Sequence, residues 1–331
     1  MTATKGSSSQ NYSRSWRHAQ SGLISLLIAL SIGIAVKTEA QDQHRDALKA
    51  YPGPAGVIEA FKYSLIVALP DRHRDSNISR FRISLISNPE FGCTVNDIII
   101  EWGNRLYQQT LDRYIAGGNV SLSDLQKVWR NTVSLNGLWD SPVYAEFLAA
   151  MREANAKLPK RCRMRVLAGD PPIDWNKVRN REDWEHYAQH RDESVLSVIE
   201  SEVLAKHHKA LLIMGSGHLI RGVIKSGPGV VDLFEKAHPG NKVFVIGISP
   251  SIAQEIRSYP DDSFFFTKGT WLQTLASTPQ GLLIYDGILT IQDGDDVRAP
   301  RVTYEDPVYS RELDRRWRIV YGEAFHFDEL P

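Results

Sequence analysis

The sequence has no excess of either charge. Lysine plus arginine and aspartate plus glutamate number 39 each, so the balance does not favour nucleic acid, and there is no acidic tail of the kind that marks disordered activators. Cysteine is scarce, with Cys93 and Cys162 the two in the chain. No C-x-x-C pair, H-E-x-x-H helix or G-x-S-x-G elbow occurs, which removes the common zinc sites and the serine-nucleophile hydrolases. Internal repeats and low-complexity linkers are also missing. The 331 residues, 42% hydrophobic and 24% charged, hold enough material for one large globular domain, and without a linker they read as one.

One long apolar run stands out. Leu23 to Val36 carries no charge, follows Arg14, Arg17 and His18, and leads through Thr38-Glu39-Ala40 to a small residue before Gln41. A basic start, an apolar middle and a small-residue exit describe a secretory signal peptide over residues 1–40. The run falls short of the roughly 20 residues that a spanning helix needs; an uncleaved anchor over 23–36 is the alternative. Export to a periplasmic or extracellular compartment is therefore expected, with membrane contact only through an uncleaved leader. Loss of the leader leaves 35 basic and 38 acidic residues, a formal net charge of −3. In an oxidising compartment Cys93 and Cys162 have two outcomes. Each precedes a strand-like run, so parallel neighbours would bring them together; otherwise they are two separate buried thiols.

In the remaining chain, residues 41–331, apolar runs alternate with amphipathic ones. Tyr63–Leu69, Asp97–Glu101, Arg163–Leu167, Lys209–Met214 and Lys242–Ile246 read as buried strands. Between them the spacing predicts helices over 78–87, 106–115, 121–130 (opened by Ser121 and Asp124 as a capping box), 142–156, 181–208 and 230–237. A strand or hairpin is expected within 281–291 and a closing helix over 311–320. The pattern is that of an α/β fold: a mainly parallel sheet with helices on both faces, and a helical insertion, or cap, at about 103–160 between strands two and three.

Ionisable residues cluster where these strands end. Asp71, Arg72, His73, Arg74 and Asp75 follow the first, Glu101 ends the second, Asp170 follows the third and His218 the fourth. In an open parallel sheet those ends share one edge, where ligands bind. Two imidazoles and several carboxylates converging there support two chemistries. One is a divalent metal on His73, Glu101 and His218. The other is metal-free activation of water, with His73 or His218 as base and Glu101 as orienter. Arg72 or Arg74 is placed to stabilise an oxyanion. His207-His208 ends a charged helix and is expected to face solvent beside its dipole. The aromatic residues of 102–144 read as core of the insertion, with an aromatic pocket over the sheet edge as the alternative.

At these residues the chain resembles the superfamily of erythromycin esterases, haem-binding ChaN-like lipoproteins and TraB/Tiki proteins. The resemblance rests on Leu69-Pro70-Asp71-Arg72-His73, on Glu101 in Ile100-Glu101-Trp102-Gly103-Asn104, on Gly169-Asp170-Pro171-Pro172-Ile173-Asp174-Trp175, and on Gly215-Ser216-Gly217-His218. It covers about residues 60–250. Where those families carry Gly-Glu after the first strand, this chain has Pro70-Asp71. The resemblance implies an esterase-like hydrolase of a small ester or amide, with His73, Glu101 and His218 acting and Asp71 and Asp170 as further members. It equally implies a non-enzymatic haem- or metal-binding protein in which His73 or His218 is the axial haem ligand.

Overall fold

The computed structural model describes residues 48–222, 227–248 and 250–327. The expected leader over 1–40, and the alternative anchor over 23–36, lie outside these residues. Among the described residues no helix is long and apolar enough to cross a membrane.

Among the described residues eight strands form one sheet. They are β1 (Tyr51–Pro52), β2 (Ile66–Asp71), β3 (Asp97–Asn104), β4 (Arg165–Asp170), β5 (Ala210–Gly215), β6 (Val243–Gly247), β7 (Ser263–Phe266) and β8 (Gly287–Leu289), and the spatial order is β1-β7-β8-β6-β2-β5-β3-β4. From β8 to β4 all neighbours run parallel, while β7 and β1 continue one edge antiparallel. The middles of the central strands, Ile66–Leu69, Ile98–Ile100 and Ala210–Met214, are apolar at every position because they are covered on both sides. Along β2 the period of two sends Val67 and Leu69 to one layer and Ile66 and Ala68 to the other.

The first layer is built from α1 (Gly53–Ala60), α2 (Ser76–Ser87), α3 (Pro89–Thr94), α4 (Gln108–Ile115), α5 (Leu122–Arg130) and α6 (Pro142–Lys157). The expected helical insertion is present as α4 to α6, and its residues Trp139 and Tyr144 pack against Trp102 of β3. Ser121 caps α5 by accepting from the Asp124 amide, as its position predicts. After β4 comes α7 (Arg181–Ala188), whose Trp184, Tyr187 and Ala188 pack in a separate cluster with Val133, Leu135, Trp175 and Val320. The layer on the other face holds α8 (Arg191–Val198), a π-helical turn over Ile199–Leu204, α9 (Ser216–Leu219) and α10 (Val230–Ala237). Its core joins Val195, Val198 and Phe234 to Ile99, Leu212 and Met214 of the sheet. Farther on come α11 (Pro250–Glu255), α12 (Leu272–Leu275) and α13 (Pro307–Tyr321).

Cys93 and Cys162 form a disulfide with a Cα–Cα distance of 4.3 Å. Its cause is the parallel pairing of β3 with β4, which brings the segments leading into both strands to one end of the sheet.

Several boundaries differ from the sequence reading. The first central strand begins at Ile66 and continues through Pro70 to Asp71, and β4 runs to Asp170, so both acids lie on strands rather than in loops. The charged stretch 181–208 is not one helix: α7 stops at Ala188 and α8 restarts at Arg191. His208 does not face solvent freely, since its Nδ1 lies 2.6 Å from Asp97 Oδ2.

Candidate functional site

Parallel register sets the site. Asp71 pairs with Gly215 across β2 and β5, and Ile100 with Ile213 across β3 and β5, so Asp71, Glu101 and Gly215 reach the carboxyl edge side by side. His73 lies two residues beyond β2, and its Nδ1 is 3.0 Å from Asp71 Oδ2. Asp71 is held from behind by Arg82, whose Nη1 lies 2.9 Å from Oδ1, and by the Tyr144 hydroxyl, which donates to Oδ2 at 3.3 Å. The Trp139 ring meets His73 edge-on at 4.9 Å between centroids. Burial works to raise the Asp71 carboxyl, but Arg82 and then His73 and Tyr144 outweigh it and hold it below the usual carboxylate range.

A second pair faces the first. His218, on α9, has its Nδ1 2.9 Å from both oxygens of Asp192 in the first turn of α8, and Asp192 also accepts from the Val230 amide at 3.0 Å. Glu101 lies between the pairs. Its Oε1 accepts from Arg191 at 2.9 Å and is 3.7 Å from His218 Nε2, while its Oε2 accepts from the Gly215 amide at 2.7 Å. A Cβ on Gly215 would lie 3.4 Å from His73 Nε2 and 3.5 Å from Glu101 Oε2, so glycine leaves open the space that these two groups border. The imidazoles are 33% and 28% exposed, and solvent reaches both.

Both histidines hold their proton more tightly than a free imidazole. For His73, burial lowers the pKa, but the bond to Asp71 and the charges of Asp71 and Glu101 raise it on balance. For His218 the bond to Asp192 is the largest cause of the rise, and burial opposes it. Arg191 is partly buried, yet Asp170 and Glu101 keep its guanidinium charged. Asp170 accepts from Arg191 Nε at 3.2 Å and from the Val133 amide at 2.8 Å, and its burial pushes the carboxyl up to about 7.

No protein-family model matches the chain, and no curated protein matches it. Three solved structures share part of its path. One is the type III effector HopBA1, at 10% identity and a TM-score of 0.44, over 75% of this chain and 98% of that one. The second is a Bacillus cereus protein, at 13% and 0.48, over 78% and 98%. The third is RRSP, a MARTX toxin effector domain from Vibrio vulnificus, at 19% and 0.39, over 59% of this chain and 36% of that one. Likenesses this distant carry no argument about activity.

Of the residues singled out in the sequence, His73, Glu101, His218, Asp71 and Asp170 meet at this edge. Arg72 and Arg74 do not. Arg72 binds Asp75, Asp293 and the carbonyls of Ile291 and Gln292, and Arg74 binds Asp296. Both arginines are turned to the 291–297 segment, where carboxylates hold them, so the oxyanion role expected of them has no geometric basis. The metal-ligand set fails as well: among the described residues no three of His, Cys, Asp and Glu converge closely enough to hold an ion. Instead Arg191 and the Gly215 amide occupy Glu101. An axial haem ligand needs an apolar slot, whereas the histidine nitrogens face Glu101 and Arg191, and the residues do not fit that group.

Arg191, Asp192, Arg82 and Tyr144 went unrecognised in the sequence. Arg82 left a readable signal: with Ile78, Phe81, Leu85 and Ile86 it occupies the buried stripe of α2, where a lone cation demands a partner. Arg191 and Asp192 left none, since charge in a polar helix usually marks a solvated face.

Proposed function

We propose that the protein is an exported hydrolase of a small ester or amide, working by metal-free acid–base catalysis. One observation carries the reading. Two imidazoles, each backed through Nδ1 by its own carboxylate, approach one central glutamate, His73 from the turn after β2 and His218 from the helix after β5. A carboxylate on Nδ1 fixes the tautomer and ring orientation and leaves Nε2 to exchange protons, the arrangement expected of a general acid or base.

In the proposed reaction, a water oxygen adds to the substrate carbonyl carbon and gives its proton to Nε2 of neutral His73. The carbonyl oxygen gains negative charge next to the Arg191 guanidinium. The bond from carbon to the leaving oxygen or nitrogen then breaks, and the leaving group takes a proton from Nε2 of the His218 imidazolium. One ester and one water give one acid and one alcohol. Solvent exchange at the two exposed rings resets their protons. Glu101, fixed by Arg191 and the Gly215 amide, borders the space for the attacking water. The resemblance to erythromycin esterase-like proteins agrees with this reading.

A panel of small esters and amides with the leaderless chain, and with His73→Asn, His218→Asn and Glu101→Gln, tests it. Each histidine variant is expected to lose about 100-fold or more in turnover, the ordinary worth of a positioned proton-transfer group. Equal rates in wild type and all three variants would remove the enzyme reading.

A further inference from the structure

A cleft of about 310 Å³ shares Arg191 with the acid–base site. Its walls come from three parts of the chain: Leu135 and Leu138 after α5, Trp184 and Ala188 on α7, and Trp317 and Tyr321 on α13. The rings of Trp317 and Tyr321 lie 4.3 Å apart between centroids, and that of Trp184 lies 6.3 Å from Tyr321. Trp184 is fixed in place because its Nε1 donates to the Val133 carbonyl at 2.9 Å. Arg191 is the one charged residue in the lining.

Two physical links join the cleft to the reaction site. Arg191 borders the cleft and bonds Glu101 and Asp170. The segment from Val133 to Trp139 is the other link. The Val133 amide donates to Asp170, Leu138 lines the cleft, and the next residue, Trp139, packs edge-on against His73. A molecule held in the cleft is therefore bounded by the groups that position the proposed catalytic residues.

We infer that this cleft is the acyl subsite of the proposed hydrolase, and that it takes the aromatic acyl group of the substrate while Arg191 faces the carbonyl. The inference rests on the hydrolase reading for the word acyl, and on the cleft alone for the aromatic ring. Aromatic walls favour a flat apolar group, which stacks or meets ring edges. The volume is roughly twice the ~150 Å³ cavity that holds one benzene, which suits two fused rings or a phenyl ring with a short linker. A phosphate or sugar would find one cation, already shared between two carboxylates, and a mainly apolar wall.

Calorimetric titration of the leaderless chain with 2-naphthoate and with acetate is the direct test, run beside turnover of methyl 2-naphthoate and methyl acetate. Ala188→Trp fills the cleft, and Leu138→Trp, on another segment of its lining, does so if the first variant does not fold. We expect 2-naphthoate to bind saturably with a Kd below about 1 mM, and acetate not to. In the filled variant the naphthoate Kd rises at least about tenfold, and the naphthoyl-to-acetyl ratio of kcat/KM falls by a similar factor. No saturable naphthoate binding, or the same Kd in wild type and filled variant, overturns the subsite. If naphthoate binding behaves as expected and neither ester is hydrolysed, the aromatic cleft stands and the hydrolase reading fails.

Discussion

Arg82→Met isolates the ion pair that supports the first imidazole. The Asp71 side chain has no exposure and that of Arg82 has 2%, with 2.9 Å between Oδ1 and Nη1. Methionine keeps the apolar stem and removes the cation, leaving the carboxylate with His73 and Tyr144. Stranding one member of a buried pair costs about 3–5 kcal/mol. Protonated His73 offsets part of this, so about 3 kcal/mol is expected at neutral pH. At about 2–4 °C per kcal/mol for a domain of this size, the melting temperature falls by roughly 10 °C.

The sign with pH is fixed by the same pair. In the wild type the folded Asp71 carboxyl lies below its unfolded value, so its contribution is present above the unfolded pKa near ~3.9 and is lost as pH falls through the folded value. Without Arg82, burial dominates and the folded value rises above the unfolded one. The penalty then applies at high pH and fades on acidification, as the carboxyl takes up a proton. Urea unfolding at several pH values between about 4.5 and 8 reads this as a gap from wild type that narrows at the acid end. Adding Asp71→Asn to Arg82→Met removes the stranded charge and is expected to restore most of the loss. A single-variant loss under about 1 kcal/mol at every pH, or a double variant as unstable as the sum of the singles, refutes the reasoning.

The other perturbations follow from single contacts. Asp192→Asn removes the main cause of the raised His218 pKa, so the ring's NMR titration midpoint should fall. The stability that wild type holds over this variant is full below the unfolded imidazole value of about 6.5 and is lost as pH rises through the folded one; an unmoved midpoint contradicts the pairing. Replacing both Cys93 and Cys162 with Ser opens a link across 69 positions, which the loop-entropy relation values at about 4 kcal/mol. Denaturant midpoints that coincide for the oxidised wild type and this variant would show that the bridge is not formed. Gly215→Ala places a methyl group at ordinary contact distance from His73 and Glu101, so the melting temperature should hold while turnover falls about tenfold; unaltered turnover denies that the space is used.

Strand existence was legible because the central runs are continuously apolar, and so was the edge at which their ends gather. Strand limits were less so. The first strand's aliphatic run stops at Leu69 in sequence, yet the backbone continues extended through Pro70 and Asp71 because the pairing with β5 runs on to Gly215. Proline is tolerated there because the pairing of β2 with β6 has ended at Ala68, so β2 has a neighbour on one side only at Pro70. The short strands β1 and β7 had no usable period, since two and four residues cannot display one. In the site, the histidines and Glu101 could be placed by strand order alone. Arg191 and Asp192 could not, because their position depends on α7 ending at Ala188 so that a new helix starts over the edge of β3 and β4. Nothing local in the sequence sets the angle of that restart.

The two imidazoles are alike in arrangement and unlike in what acts most strongly on their protons. Asp71 gives its charge to a guanidinium 2.9 Å away before it reaches His73, and burial is the largest influence on that ring, acting against the proton. Asp192 accepts from the Val230 amide and also interacts with the Arg191 charge, yet its bond to His218 is the largest influence on that ring, acting for the proton. In the proposed reaction the base role therefore falls to His73, the ring whose proton burial opposes most, and the acid role to His218, the ring whose proton a carboxylate favours most. Two identically backed histidines would offer no such difference in environment by which to divide an acid from a base.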